Sequence, residues 1–291
     1  MDEPAHNSMT SVPTRLGPLQ VETAGSGPPA VLWHSLFVDS TTWARVRQPL
    51  ASTRRLLLID APGHGHNPPA GHRYTLDDCA GAAIDVLDHL GIGEPVDWVG
   101  NAMGGHVGIP FAVTYPGRCR SVATIGSPVH ALTPPERRKM AVLSRVYQLT
   151  GPVPPLVNLL TDVLLGPHAP TADPKAAALV GAAFRRASRR GMSGAIQSVS
   201  LHRPDLTPLL PAITAPVLIC AAADDPYWTP ADAARAASRL PNGAAVTLPG
   251  AGHIAPLFEA PPAVAGLLIA FWADPPAVVT RQRTGAPTAR T

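Results

Sequence analysis

A chain of 291 residues and 30.3 kDa has room for one α/β core carrying an insertion. Apolar residues make up 45% and charged ones 15%, which excludes the low-hydrophobicity, high-charge composition of disordered chains; the 35 prolines and 25 glycines follow no collagen period. The net charge of +3, with no basic block interleaved with aromatics, excludes nucleic acid as an expected partner.

Cys79, Cys119 and Cys220 form an odd, widely spaced set with no CxxC pair, so the expectation is neither a disulfide framework nor a zinc site, and a cytoplasmic setting. The N-terminal segment shows no apolar signal-peptide core, and no apolar stretch reaches the roughly 18 residues of a membrane span, so no membrane partner is expected.

In chain order, residues 1–12 read as polar and loose, and 19–25 as a strand. Ala30–Trp33 is a short buried strand running into His34-Ser35. Residues 54–60 form another, stopped by Ala61-Pro62-Gly63. Thr75, with Asp78 at capping-box spacing, starts a helix that Gly91 ends. Residues 95–99 are a strand, followed by a glycine-rich turn, a helix to about Tyr115 and a strand over 121–125. That alternation specifies a parallel sheet with crossover helices.

The alternation then stops. Thr133-Pro134-Pro135-Glu136 opens a helix closed by Gly151, and 156–165, 173–190 and about 193–201 are helical. Residues 216–223 and 244–250 are strands again, with helices after Thr229 and over 261–272. The expected organisation is an α/β core over 1–128 and 213–274, with a mostly parallel central sheet and helices on both faces, a helical cap over 129–212, and a disordered tail over 275–291. The cap span carries ten basic residues against four acidic ones, a net +6. A basic lid suits an anionic small-molecule substrate, whereas genome-driven arginine usage explains the same count without function.

The segment VDWVGNAMGG runs from a strand through a Gly-x-x-x-Gly turn into a helix. The nucleophile elbow, G-x-S-x-G, occupies that setting, and here Gly100 and Gly104 flank Ala102. The VLWHSLFVDSTTW segment is similar to an H-G-x oxyanion loop, LIDAPGHGHN to a D-x-x-G-x-G-x-S turn, PVLICAAADDPYWTP to a strand-end acid segment and LPGAGHIAP to a strand-end histidine segment. With these five segments in order, the chain resembles the α/β-hydrolase fold family, serine hydrolases with a helical cap. The resemblance implies His253 as general base, Asp225 in preference to Asp224 as its orienting acid, and the backbone N–H groups of Leu36 and Met103 as oxyanion donors. It implies no cofactor and no metal.

Ser35 stands where that pattern has glycine, Asn67 where it has serine, and Ala102 where it has the nucleophile. A methyl group cannot attack a carbonyl. Ala102 is therefore either a serine-to-alanine change in a hydrolase or the residue of a natural protein that works without a serine. The expected parent activity is hydrolysis of a small-molecule ester or lactone, with C–C bond cleavage of a diketone-like acid and a non-hydrolytic role as the alternatives. An aspartate-to-alanine change in a dehalogenase or epoxide-hydrolase relative fits less well, because those families place Trp after their aspartate. His34 is expected to brace backbone, His64 and His66 to belong to the turn rather than to a metal, and residues 184–190 to form a solvated helix face.

Overall fold

The structure, a computed structural model, describes residues 8–284. Eight strands form one sheet: β1 (Ser8–Thr14), β2 (Gly17–Ala24), β3 (Pro29–Trp33), β4 (Arg55–Ile59), β5 (Val96–Asn101), β6 (Cys119–Ile125), β7 (Val217–Ala222) and β8 (Gly243–Leu248). Their order is β1-β2-β4-β3-β5-β6-β7-β8; β1–β2 and β2–β4 pair antiparallel and every other pair is parallel. The inner strands β3, β5 and β7 are buried along their whole length because both faces are covered.

Helices α1 (Ala44–Ala51), α2 (Leu76–His89) and α3 (Met103–Thr114) make the first crossovers. The step from β3 to β4 runs one way along the sheet, and the steps to β5 and β6 run the other way. Right-handed crossovers therefore put α1 on one face and α2 and α3 on the opposite face. The chain reverses at β3, so the loops leaving β3 and β5 open a crevice at the carboxyl ends of adjacent strands, where α/β sheets place ligands.

Between β6 and β7 the described residues form helices only: α4 (Pro134–Thr150), α5 (Pro154–Leu165), α6 (Ala169–Ala172), α7 (Pro174–Arg186) and α8 (Arg189–Ala195), which runs into a π-helical turn over Ile196–Leu201. Capping boxes start α2 at Thr75 and α4 at Thr133. The continuous helix expected over 173–190 is broken, because the Ser188 hydroxyl accepts from Gly191 N at 3.0 Å and restarts the helix as α8. After β7, α9 (Pro230–Ala237) starts from a capping box at Thr229; α10 (Pro256–Glu259), α11 (Pro261–Ala273) and α12 (Pro275–Thr284) follow β8, with α11 packed on α1.

Two readings of the termini are corrected. Ser8–Thr14 is a full edge strand rather than loose chain, paired residue for residue with β2 and anchored by buried Val12. Residues 275–284 are not a disordered tail: Asp274 accepts from Ala277 N at 3.0 Å to start α12, Val278 and Val279 are buried, and Arg283 donates to Gly243 O and Leu240 O at 2.6 and 2.9 Å. Residues 1–7 and 285–291 lie outside the described residues. Among the described residues no single helix is long and apolar enough to cross a membrane.

Candidate active site

The elbow requires its glycines. A Cβ on Gly100 would lie 2.1 Å from the Gly104 carbonyl carbon, and one on Gly104 would lie 1.9 Å from Trp33 O, so strand and helix approach closer than any side chain permits. Between them Ala102 has φ 46° and ψ −104°, and among the described residues it alone of the non-glycines has positive φ. The turn is over-determined: Ala102 N donates to Ile125 O at 2.8 Å, and Ala102 O accepts from Gly105 N and His106 N at 3.0 and 3.1 Å. Met103 is the first residue of α3, so its N–H has no partner within the helix and lies at the positive end of the helix dipole.

The loop after β3 fixes a second N–H. The buried His34 ring accepts from Ala61 N through Nε2 at 2.9 Å, so the neutral ring carries its proton on Nδ1, which donates to Ser35 O at 2.7 Å. Burial lowers the His34 pKa and keeps that tautomer neutral. In a trans peptide the N–H points opposite the carbonyl, so holding Ser35 O aims the Leu36 N–H away from His34. His64, buried and pushed down to about 4 chiefly by desolvation, braces the Leu36 carbonyl from behind, while His66 is exposed. Asn67 replaces the expected serine with two contacts, accepting from Gln20 N at 2.8 Å and donating to Asp60 O at 2.6 Å.

Asp225 follows β7 and is 2% exposed. Its Oδ1 accepts from Tyr227 N at 2.8 Å, and its Oδ2 accepts from His253 Nδ1 at 2.6 Å. Asp224 is exposed and meets the histidine loop only through its backbone N–H, on Gly250 O at 3.0 Å. With Nδ1 donating to the carboxylate, Nε2 of neutral His253 is left as a base. The Tyr227 ring stands edge-on to the imidazole, with centroids 5.4 Å apart.

Asn101, to which the sequence pattern assigns no role, joins the two halves of the site. Its Nδ2 donates to Ile125 O at 2.9 Å and to His253 O at 3.2 Å. A Cβ on Gly126 would lie 2.2 Å from that same His253 carbonyl. A buried side-chain amide directly before the elbow was the available signal for such a bridge.

The helical insertion touches both sides of the site. Arg186 donates from Nε to buried Asp39 at 2.8 Å, four residues beyond Ser35, so residues 184–190 are not simply a solvated face. On the opposite side Ile254 N donates to Leu164 O at 2.9 Å, at the end of α5 and next to His253. Among the described residues no group of three or more His, Cys, Asp or Glu side chains is placed to hold a metal ion.

A strand-turn-helix elbow and a strand-end Asp–His pair on a mostly parallel sheet are the framework of the α/β-hydrolase fold. The profile of the alpha/beta hydrolase fold matches residues 28–260, and the chain belongs to that family. Among curated relatives it is 31% identical over 242 residues to a pimeloyl-[acyl-carrier protein] methyl ester esterase of Chromobacterium violaceum, covering 81% of this chain and 91% of that one. It is 36% identical to the 2-hydroxymuconate semialdehyde hydrolase of Pseudomonas sp. strain CF600, over 36% of this chain and only 38% of that protein. Other high-scoring relatives are likewise matched over a minor part of their length, 27% in the acetoin-cleaving acetyltransferase component of Pseudomonas putida. The solved enol-lactonase of Burkholderia xenovorans LB400 superposes with a TM-score of 0.81 at 24% identity, over 92% of this chain and all of that one, a likeness of fold.

Proposed function

We propose that this protein is built to hydrolyse a small-molecule ester or lactone through an acyl-enzyme, and that Ala102 makes the present chain its serine-to-alanine form. The observation that carries the reading is the 2.6 Å His253–Asp225 contact tied through Asn101 to a strained elbow. A serine hydroxyl at 102 attacks the carbonyl carbon while His253 Nε2 takes its proton. The developing oxyanion is received by the N–H groups of Leu36 and Met103. Each such donor contributes a few kcal/mol in sites of this kind. Collapse expels the alcohol, which takes the proton back from His253. Water, deprotonated by the same ring, then releases the acid and regenerates the serine. Asp225 holds the imidazole tautomer throughout. The helices over 129–212 act as a cap enclosing the substrate, and the three buried free cysteines support a reducing, cytoplasmic setting.

Two other chemistries use the same parts. The partial match to a semialdehyde hydrolase supports C–C bond cleavage of a diketone-like acid as a variant of the reading. Ala102 itself supports a non-hydrolytic role, in which His253 and Asp225 move a proton on a bound ligand without a nucleophile.

The test is Ala102→Ser. Losing the serine costs a hydrolase on the order of a million-fold in turnover. The serine form should gain activity of that order on activated aryl esters, lactones or C–C substrates, and take a fluorophosphonate label that the Ala102 protein refuses. A serine form that does neither overturns the hydrolase reading in favour of the non-hydrolytic one.

A further inference from the structure

We infer that Arg203 receives a carboxylate carried by the substrate, so that the ester or lactone a serine at 102 would open derives from an acid with a second, free carboxyl group. The inference rests on the hydrolase reading for what the ligand is and on Arg203's own surroundings for where it binds.

Arg203 lies two residues beyond the π-helical turn over Ile196–Leu201, a backbone irregularity that recurs at functional sites. It is 5% exposed. Of its five N–H donors only one is engaged, Nη1 on Pro128 O at 3.0 Å. Among the described residues no carboxylate lies within ion-pair distance of it. The carboxylates whose charge reaches it, Asp205 and Glu136, are committed elsewhere. Asp205 accepts from Thr207 N at 2.9 Å, and Glu136 accepts from Thr133 N and its hydroxyl at 2.8 and 2.7 Å. Burial pushes the guanidinium down to about 10, which still leaves it charged at neutral pH. A buried cation with no direct ion pair is costly, and a carboxylate arriving from outside the chain would offset that cost. Arg186 makes the contrast, since Asp39 neutralises it.

The place is adjacent to the chemistry. Gly126, Ser127 and Pro128 run from the backbone of His253, past Gly105 of the elbow helix, to the carbonyl that Arg203 holds. The His106 ring lies near the same Pro128 carbonyl, and its buried Nε2 has no partner. His106 sits one helical turn from Ala102, whose carbonyl accepts its N–H at 3.1 Å. One turn from the elbow there is therefore an arginine with four unengaged N–H donors and no direct ion pair, near an imidazole nitrogen without a partner. The flat fork of a guanidinium fits a carboxylate, which it binds through two parallel hydrogen bonds.

The experiment begins with the Ala102 protein, which binds without turning over. Calorimetry compares monomethyl adipate, which carries a carboxylate, with neutral dimethyl adipate. The monoanion should bind about 10- to 100-fold more tightly, the range for a hydrogen-bonded charge pair. Arg203→Gln should erase the preference, and Arg203→Lys, which keeps the charge but loses the fork, should restore part of it. In the Ala102→Ser background, Arg203→Gln should raise KM for a carboxylate-bearing aryl ester about 10-fold or more beyond any change it makes for the neutral methyl ester. A merely structural arginine would harm both esters alike. Equal binding of the two adipates by the unaltered chain overturns the inference even if Arg203→Gln fails to fold, and so does absence of monoanion binding at millimolar concentration. A dead Ala102→Ser protein with an Arg203-dependent monoanion preference would instead remove the hydrolase reading and leave the subsite standing.

Discussion

Replacing Ala102 by glycine should be nearly neutral for stability or slightly stabilising, although the same change elsewhere in a buried helix is costly. At φ 46° and ψ −104° a Cβ is held against its backbone preference, a strain of roughly 2 kcal/mol within a range of about 1–3. Glycine relieves it. Against this stand the lost burial of a methyl group, about 0.8 kcal/mol, and glycine's additional chain entropy, about 0.5–1 kcal/mol. The net is a gain of about 0.5 kcal/mol. The reference is Ala112, buried inside α3 with ordinary helical geometry, where glycine costs about 1 kcal/mol in propensity and another 0.8 in burial. The two variants should thus differ by about 2 kcal/mol. Urea unfolding at neutral pH reads the difference as a shift in midpoint at constant m. If Ala102→Gly destabilises as much as Ala112→Gly, the elbow is unstrained and the argument from its backbone is wrong.

Asp97 is fully buried and takes Arg54 Nε at 2.9 Å, Arg120 Nε at 3.0 Å and the Ser121 hydroxyl at 2.5 Å; Asp97→Ala should cost about 3–5 kcal/mol by leaving buried Arg54 without its counter-ion, and a denaturation loss below 1 kcal/mol would contradict that. Acid should destabilise the fold. Burial lowers the pKa of His34, His64 and His106, so the unfolded chain binds more protons than the native one. Stability is then complete above about pH 6.5 and declines as the pH falls toward 4. For His64 the drop from 6.5 to about 4 corresponds to roughly 3 kcal/mol, and a flat profile of unfolding free energy between pH 4.5 and 6.5 would refute it.

Much of the site can be read in the chain because it depends on residues with few substitutes. Gly100 and Gly104 are legible because nothing larger fits between strand and helix. Asp225 and His253 are legible because each ends a short apolar strand. What escapes is whatever depends on a distant partner. Ser8–Thr14 is polar on one side and becomes a strand only because β2 offers it a full ladder. Val278 and Val279 are too short an apolar run to announce a helix until they are seen buried where α12 packs on β8. Arg186 and Arg203 are alike in composition, and only their surroundings separate a neutralised arginine from one that is not. Asn101 is one polar residue among many until its amide is found spanning two loops.

The attachments of the helical insertion bear on how such proteins can be re-engineered. Exchanging the helices between β6 and β7 for those of a relative is an obvious way to change the substrate. Here that segment is not a detachable module. Leu164 O fixes the backbone beside His253, a Cβ on Gly252 would lie 2.5 Å from that same oxygen, and Arg186 holds Asp39 just beyond the loop that presents the Leu36 N–H. A graft that omits the Leu164–Gly166 turn or the arginine at 186 exchanges the helices and unsettles the backbone beside His253 or the loop that carries the Leu36 N–H. Chimeras made in this scaffold should therefore keep those two seams and draw their variation from the residues between them.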